Sequence, residues 1–309
     1  MKKLLATLWC LMIPVTALCA ADDGKGRIDW NGGFVVATGY GTADPRINKA
    51  KARNMALRAA EVSAQRALLE TIKGVRISSQ TTVENSMLTE DVIKSRVDGI
   101  VKGAIVTKRD VETVDGAPLA TVEMKVCMSG GPAECASKPT LVHALSLENR
   151  PVPAFVPAKT LVECTLPDAA KTSPPSAGNP QVSSEHRPPQ YDNTKPVTGI
   201  VFHLDGRYFE RELLPVVITT AAGESVTVYS VKMVKPSIVR TYGAVRYADT
   251  LDLARQNQSA GANPMIVMAD GVTKENMILI RSDDARVIKE TCSHGNNYLG
   301  DAKVVISIR

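Results

Sequence analysis

The run Gly33-Phe34-Val35-Val36-Ala37-Thr38-Gly39-Tyr40 reads as a β-strand. The helix after it sets the fold. Asp44 is placed as an N-cap with Pro45 at the first helical position, and Gly74 is placed as a stop. Between them Leu57, Ala60, Ala64, Leu68 and Ile72 fall three or four apart and make one helical stripe. Alanines at 50, 52, 56, 59, 60, 64 and 67 leave the helix slim enough to lie close on a sheet or another helix.

Beyond Gly74, Val75 to Val83 is β-branched and partly alternating, and Thr89 is placed to cap a shorter helix ending near Val101. Residues 104–114 and 117–127 read as two strands joined at Asp115-Gly116, a strong hairpin signal. Strand, helix, strand, helix and hairpin predict an α+β unit, with helices packed on a mainly antiparallel sheet. Residues 138–164 are apolar but interrupted by Pro139, Pro151, Pro153 and Pro157, which predicts an irregular or edge segment.

A second unit of the same mixed kind is expected over residues 197–309. Its strands are placed at 198–204, 213–219, 226–229, 265–269, 277–281 and 303–308, with helices near 247–256 and from Asp283. Prolines 167, 174, 175, 180, 188, 189 and 196, set among Ser, Asn, Gln and Gly, predict an extended linker over 165–196. The expected organisation is therefore a leader at 1–21, an α+β domain at 22–164, the linker, and the last domain, two compact bodies on a tether.

The leader reading rests on Lys2 and Lys3, the apolar run Leu4 to Leu18, and the small residues Ala20 and Ala21, which together have the layout of a secretory signal peptide. The run is too short to span a bilayer and is broken by Pro14, so no transmembrane segment is expected once the leader is removed. Lipid anchoring at Cys19 is the alternative, disfavoured because Leu18 stands where lipoprotein peptidases want a small residue. The periplasm is the expected address. Four cysteines remain there, Cys127, Cys135, Cys164 and Cys292, an even number that suggests two disulfides with three possible connectivities. Cys127–Cys135 and Cys164–Cys292 are the favoured pairs, with free buried thiols the alternative for the second.

With 44% hydrophobic residues the chain cannot be disordered throughout, and a formal charge of +5 over 309 residues is too weak for a nucleic-acid binder. No G-x-S-x-G occurs, and His143, His186, His203 and His294 sit in unrelated contexts. Gly39-Tyr40-Gly41 lacks the third glycine and the lysine of a phosphate loop, and Asp283-Asp284 suits a helix start better than a cation site. No catalytic residue, cofactor or metal is expected. Should a ligand bind, Arg246, Tyr247 and Asn263 are the candidate residues.

The stretch Trp30 to Gly39, the run Ala52 to Ala60, and Gly103-Ala104 followed by the Asp115-Gly116 hairpin resemble an envelope domain. That domain is shared by LPP-type outer-membrane lipoproteins and the N-terminal domain of the flagellar protein FlgT. Thr198 to Val201, Tyr242 to Ala248, Asn263 to Val267 and Ser282 to Ala285 resemble a domain found beside it in uncharacterised envelope proteins, which more often carry an acid where His203 stands. The resemblance implies a non-enzymatic accessory or scaffold protein of the envelope, acting in outer-membrane or flagellar basal-body assembly on other envelope proteins. The alternative is a periplasmic ligand-binding protein with a cleft between or within its domains.

Overall fold

A computed structural model of the chain describes residues 26–161, 187–293 and 296–309. The leader, with Cys19, most of the linker, Cys164, His186 and His294 lie outside them.

In the first half, β1 (Arg27–Asp29), β2 (Phe34–Thr42), β5 (Ile105–Val114) and β6 (Ala117–Cys127) form an antiparallel sheet in the order β1-β2-β6-β5. Helix α1 (Lys49–Lys73) covers one face and buries Ala52, Ala56, Ala60, Ala64, Leu68 and Ile72, one every four residues. The approach is close because Gly39 and Gly41 in β2 face it: a Cβ on Gly39 would stand 2.2 Å from the backbone nitrogen of Ala64. These glycines lie within the strand and serve its packing against α1. A two-strand hairpin, β3 (Arg76–Ser78) with β4 (Thr81–Thr82), and helices α2 (Val83–Thr89), α3 (Asp91–Lys102) and α4 (Leu141–Ala144) complete this half.

Two helix starts differ from expectation. Asn48, not Asp44, caps α1: its side-chain oxygen accepts from the Ala50 and Lys51 amides, while Asp44 is turned onto Arg46. Thr89 ends α2 instead of opening α3, its hydroxyl donating back to the Asn85 carbonyl. The hairpin forms as expected, with Asp115 and Gly116 both at positive φ, which a two-residue turn matching the strand twist requires.

The second half holds β7 (Gly199–His203), β8 (Val217–Ala221), β9 (Glu224–Tyr229), β10 (Arg246–Ala248), β11 (Pro264–Met268), β12 (Gly271–Val272), β13 (Ile278–Leu279) and β14 (Val304–Ser307). With them come helices α5 (Pro236–Tyr242), α6 (Leu251–Arg255) and α7 (Ser282–Ser293). Strands β12-β13-β8-β9 make a mixed sheet. The other sheet, β10-β14-β7-β11, is parallel throughout. The α+β class therefore holds and most pairings of the described chain are antiparallel, but this sheet departs from the antiparallel expectation. Every residue of β7 and β14 is buried, which is how a sheet covered on both faces reads. Short apolar runs specify that burial without specifying strand direction.

The two-domain arrangement holds, and the two domains pack against each other. One continuous core runs from Leu68 and Ile72 of α1 through Leu141, Leu145 and Leu147 to Phe202, Tyr229 and Tyr247. Backbone bonds cross as well: Leu213 and Leu214 donate to Arg76 and Ile77 (3.0 and 2.9 Å), and Gly130 donates to Thr241 (2.7 Å). Residues 157–161 run along β9, where Thr227 donates to Lys159 and accepts Leu161. Among the described residues no helix is long and apolar enough to cross a membrane.

Candidate functional site

The two edges of the first sheet have opposite fates. β1 is only three residues long, and the turn after it is held by the second half. The Trp30 ring meets Tyr247 edge-on, with centroids 5.1 Å apart, and the Asn31 amide exchanges hydrogen bonds with the Asp249 side chain and backbone. The second half thus occupies the turn beside that short edge strand. At the other side β5 runs for ten residues and, among the described residues, is bonded along one edge, to β6.

Side chains alternate along β5. Arg109 turns toward α1 and pairs with Glu61 at 2.6 Å, and Val111 packs against the core. Lys108, Asp110, Glu112 and Val114 lie on the opposite, exposed face. A register shift between Val106 and Lys108 bends the strand, and Asp110 Oδ1 accepts the Val111 amide at 2.8 Å. Bulges and charges of this kind discourage indiscriminate edge pairing. An incoming strand must displace Asp110 and match a Lys-Arg-Asp-x-Glu series, so the edge is selective.

The ligand candidates do not converge. Arg246 lies in the seam between the halves, where Nη1 donates to the Val245 carbonyl at 3.0 Å, and burial pulls its pKa down to about 10. Among the described residues no carboxylate pairs with it. Tyr247 is clamped beside it: its hydroxyl donates to the Glu212 carbonyl (2.7 Å) and accepts the Glu212 amide (3.1 Å). The hollow around these two holds about 40 Å³, room for a water or two. Asn263 stands elsewhere, accepting the Asp192 amide and donating to the carbonyls of Asp192, Lys195 and Pro196. It fastens the end of the linker to the second half. All three have structural work.

Cys127 and Cys135 form a disulfide with Cα atoms 5.8 Å apart, pinning the loop whose Gly130 touches the second half. Cys292 is buried and disulfide-bonded; Cys164, the partner expected for it, lies outside the described residues. His143 is exposed on α4, whereas His203 is buried. Asp283 and Asp284 occupy the first turn of α7, and among the described residues no cluster of His, Cys, Asp or Glu has the makings of a metal site.

Sequence reasoning passed over Glu212. It is 2% exposed, its Oε2 has no hydrogen-bond partner, and burial pushes its carboxyl up to about 8 against help from Asn276 and Arg76. Glu212 closes the charged run Glu210-Arg211-Glu212 just before Leu213-Leu214, and nothing local says which of the two acids will be enclosed.

Fold and surface together define a two-part α+β protein whose first sheet has, among the described residues, one long unpaired edge. Residues 199–309 are similar to a family described as Treponema pallidum Tp0624, second domain. This agrees with the resemblance of the C-terminal unit to a domain of uncharacterised envelope proteins; the LPP-type and FlgT resemblance of residues 30–127 is without such support. No curated protein matches the chain.

Proposed function

We propose that this chain is a non-enzymatic accessory protein of the cell envelope that docks an extended segment of another envelope protein along β5. The observation that carries the reading is the ten-residue edge of β5, unpaired among the described residues, opposite a three-residue edge strand whose turn is held by the second half. Strand addition supplies affinity through main-chain hydrogen bonds and specificity through alternate side chains. The secretory layout of the first 21 residues and the Cys127–Cys135 disulfide support an exported, periplasmic setting. Outer-membrane or basal-body assembly is the process that the resemblance of residues 30–127 favours.

The test is site-specific photo-crosslinking in intact cells, with the reactive residue at 108 or 112 and a control at Arg286 on exposed α7. Adducts from 108 and 112, with slowed amide exchange over 105–114 in the captured complex, are expected. Adducts confined to 286, or unchanged exchange along β5, would overturn the reading.

A further inference from the structure

The parallel sheet is covered on both faces but opens at its carboxyl end. β11 lies on one side of β7, and β14 and β10 lie on the other, so strand order reverses at β7. Open sheets of parallel strands bind ligands outside the strand ends at such a reversal. Here β7 ends at His203 and β11 at Met268, and beyond them lies a cleft of about 830 Å³.

Three arginines line it: Arg187, Arg207 and Arg281. Arg207 donates to the Leu204 carbonyl at 3.1 Å, and among the described residues none of the three is paired with a carboxylate. The neighbouring cleft of about 600 Å³ behaves differently, because its Arg76 is closed onto Glu210. Leu251 and Met268 add an apolar wall to the larger cleft.

His203 decides what kind of anion fits. Its Nδ1 lies 3.3 Å from the Ser307 hydroxyl, and that hydroxyl donates to the Arg309 carbonyl at 3.0 Å. The hydroxyl therefore accepts from Nδ1–H, which leaves Nε2 as a bare acceptor. Burial holds the ring below its ordinary pKa, opposed by Asp205 and reinforced by Arg255, Arg207 and Arg187, so the imidazole is neutral at pH 7. Asp205, 3.9 Å from Nε2, and Asp270 are further acceptors on the same cleft. Guanidinium forks grip anionic oxygens. Acceptors beside them want an oxyanion that still carries a proton.

We propose that this cleft binds a protonated oxyanion: inorganic phosphate, taken up as a free soluble ion. Sulfate has the same shape and no proton to give at neutral pH. It leaves Nε2 and the aspartates facing bare oxygens, a loss of the order of a hydrogen bond to a charged group.

Calorimetric titration of the full exported chain at pH 7 in 0.15 M sodium chloride tests the site, with inorganic phosphate and sulfate as probes. Saturable phosphate binding is expected, at least about tenfold tighter than sulfate. Arg281→Gln and the exposed Arg187→Gln should each weaken phosphate by about tenfold with an unchanged melting curve, and His203→Gln should narrow the preference over sulfate, leaving the part that Asp205 and Asp270 supply. Absence of saturable phosphate binding would overturn the proposal, as would equal affinity for the two anions. Binding of phosphatidic acid vesicles without binding of free phosphate would overturn the assignment to a soluble ligand. None of these outcomes depends on what docks along β5.

Discussion

The two halves solve burial in opposite ways. In the first, small residues set the spacing: alanines every fourth position of α1 meet Gly39 and Gly41, and among the described residues the sheet keeps a long free edge with an exposed outer face along β5. In the second, β7 and β14 are buried along their whole length and bulky side chains such as Phe202, Tyr229 and Tyr298 fill the interior. An antiparallel sheet with one wet face offers backbone to a partner; a parallel sheet wrapped on both sides offers its strand ends. The contrast predicts macromolecular docking on one half and small-molecule binding on the other.

Replacing Gly39 by Val tests the first half most severely. Its side chain would collide with the Ala60 and Ala64 backbone, which can yield only if the helix lifts off the sheet. We expect a loss of about 4 kcal/mol or no folded protein. Phe202→Ala should cost about 3–5 kcal/mol in the second half through the cavity it leaves. Because one core joins the halves, each variant should shift a single calorimetric transition. Two separable transitions would contradict a shared interior. For the same reason a protease site inserted between residues 162 and 186 should yield two pieces that stay together on gel filtration even after the disulfides are reduced.

Glu212 probes the seam where the halves meet. Its folded pKa of about 8 stands above the ordinary 4.5, so between these values the folded protein holds a proton that the unfolded chain has released. The stability it contributes is full below about pH 4.5 and falls as pH rises toward about 8. Glu212→Gln should flatten that slope and stabilise the protein at pH 8 by about 3 kcal/mol, with little change at pH 4.5. Denaturant unfolding at the two pH values measures this, and an unaltered slope would place the titration elsewhere. The smallest effect is expected from Asp110→Ala. Freeing the Val111 amide should change stability by less than about 0.5 kcal/mol and raise the crosslinking yield at 108 and 112. A lower yield would mean that Asp110 attracts the partner instead of guarding the edge.

Much of this was legible locally. The strand around Val35 and Val36, the body of α1, the Asp115-Gly116 hairpin and the Cys127–Cys135 link each follow from residues close together in the chain. The start of α1 was misplaced because Asp44 and Asn48 can both cap, and only the path of the chain chooses Asn48. Arg246, Tyr247 and Asn263 stand out as polar groups among apolar runs, but such patterns mark enclosure as readily as binding.

Consecutive residues were enough to establish which side of each helix and strand faces inward, since periods of two and 3.6 residues are written in neighbouring positions. It took the folded chain to establish that β7, β11 and β14 run parallel, that Glu212 and Arg246 are both enclosed where the halves meet, and that three arginines flank His203. Those outcomes depend on which distant strands become neighbours, and periodicity is the same whichever neighbour a strand takes.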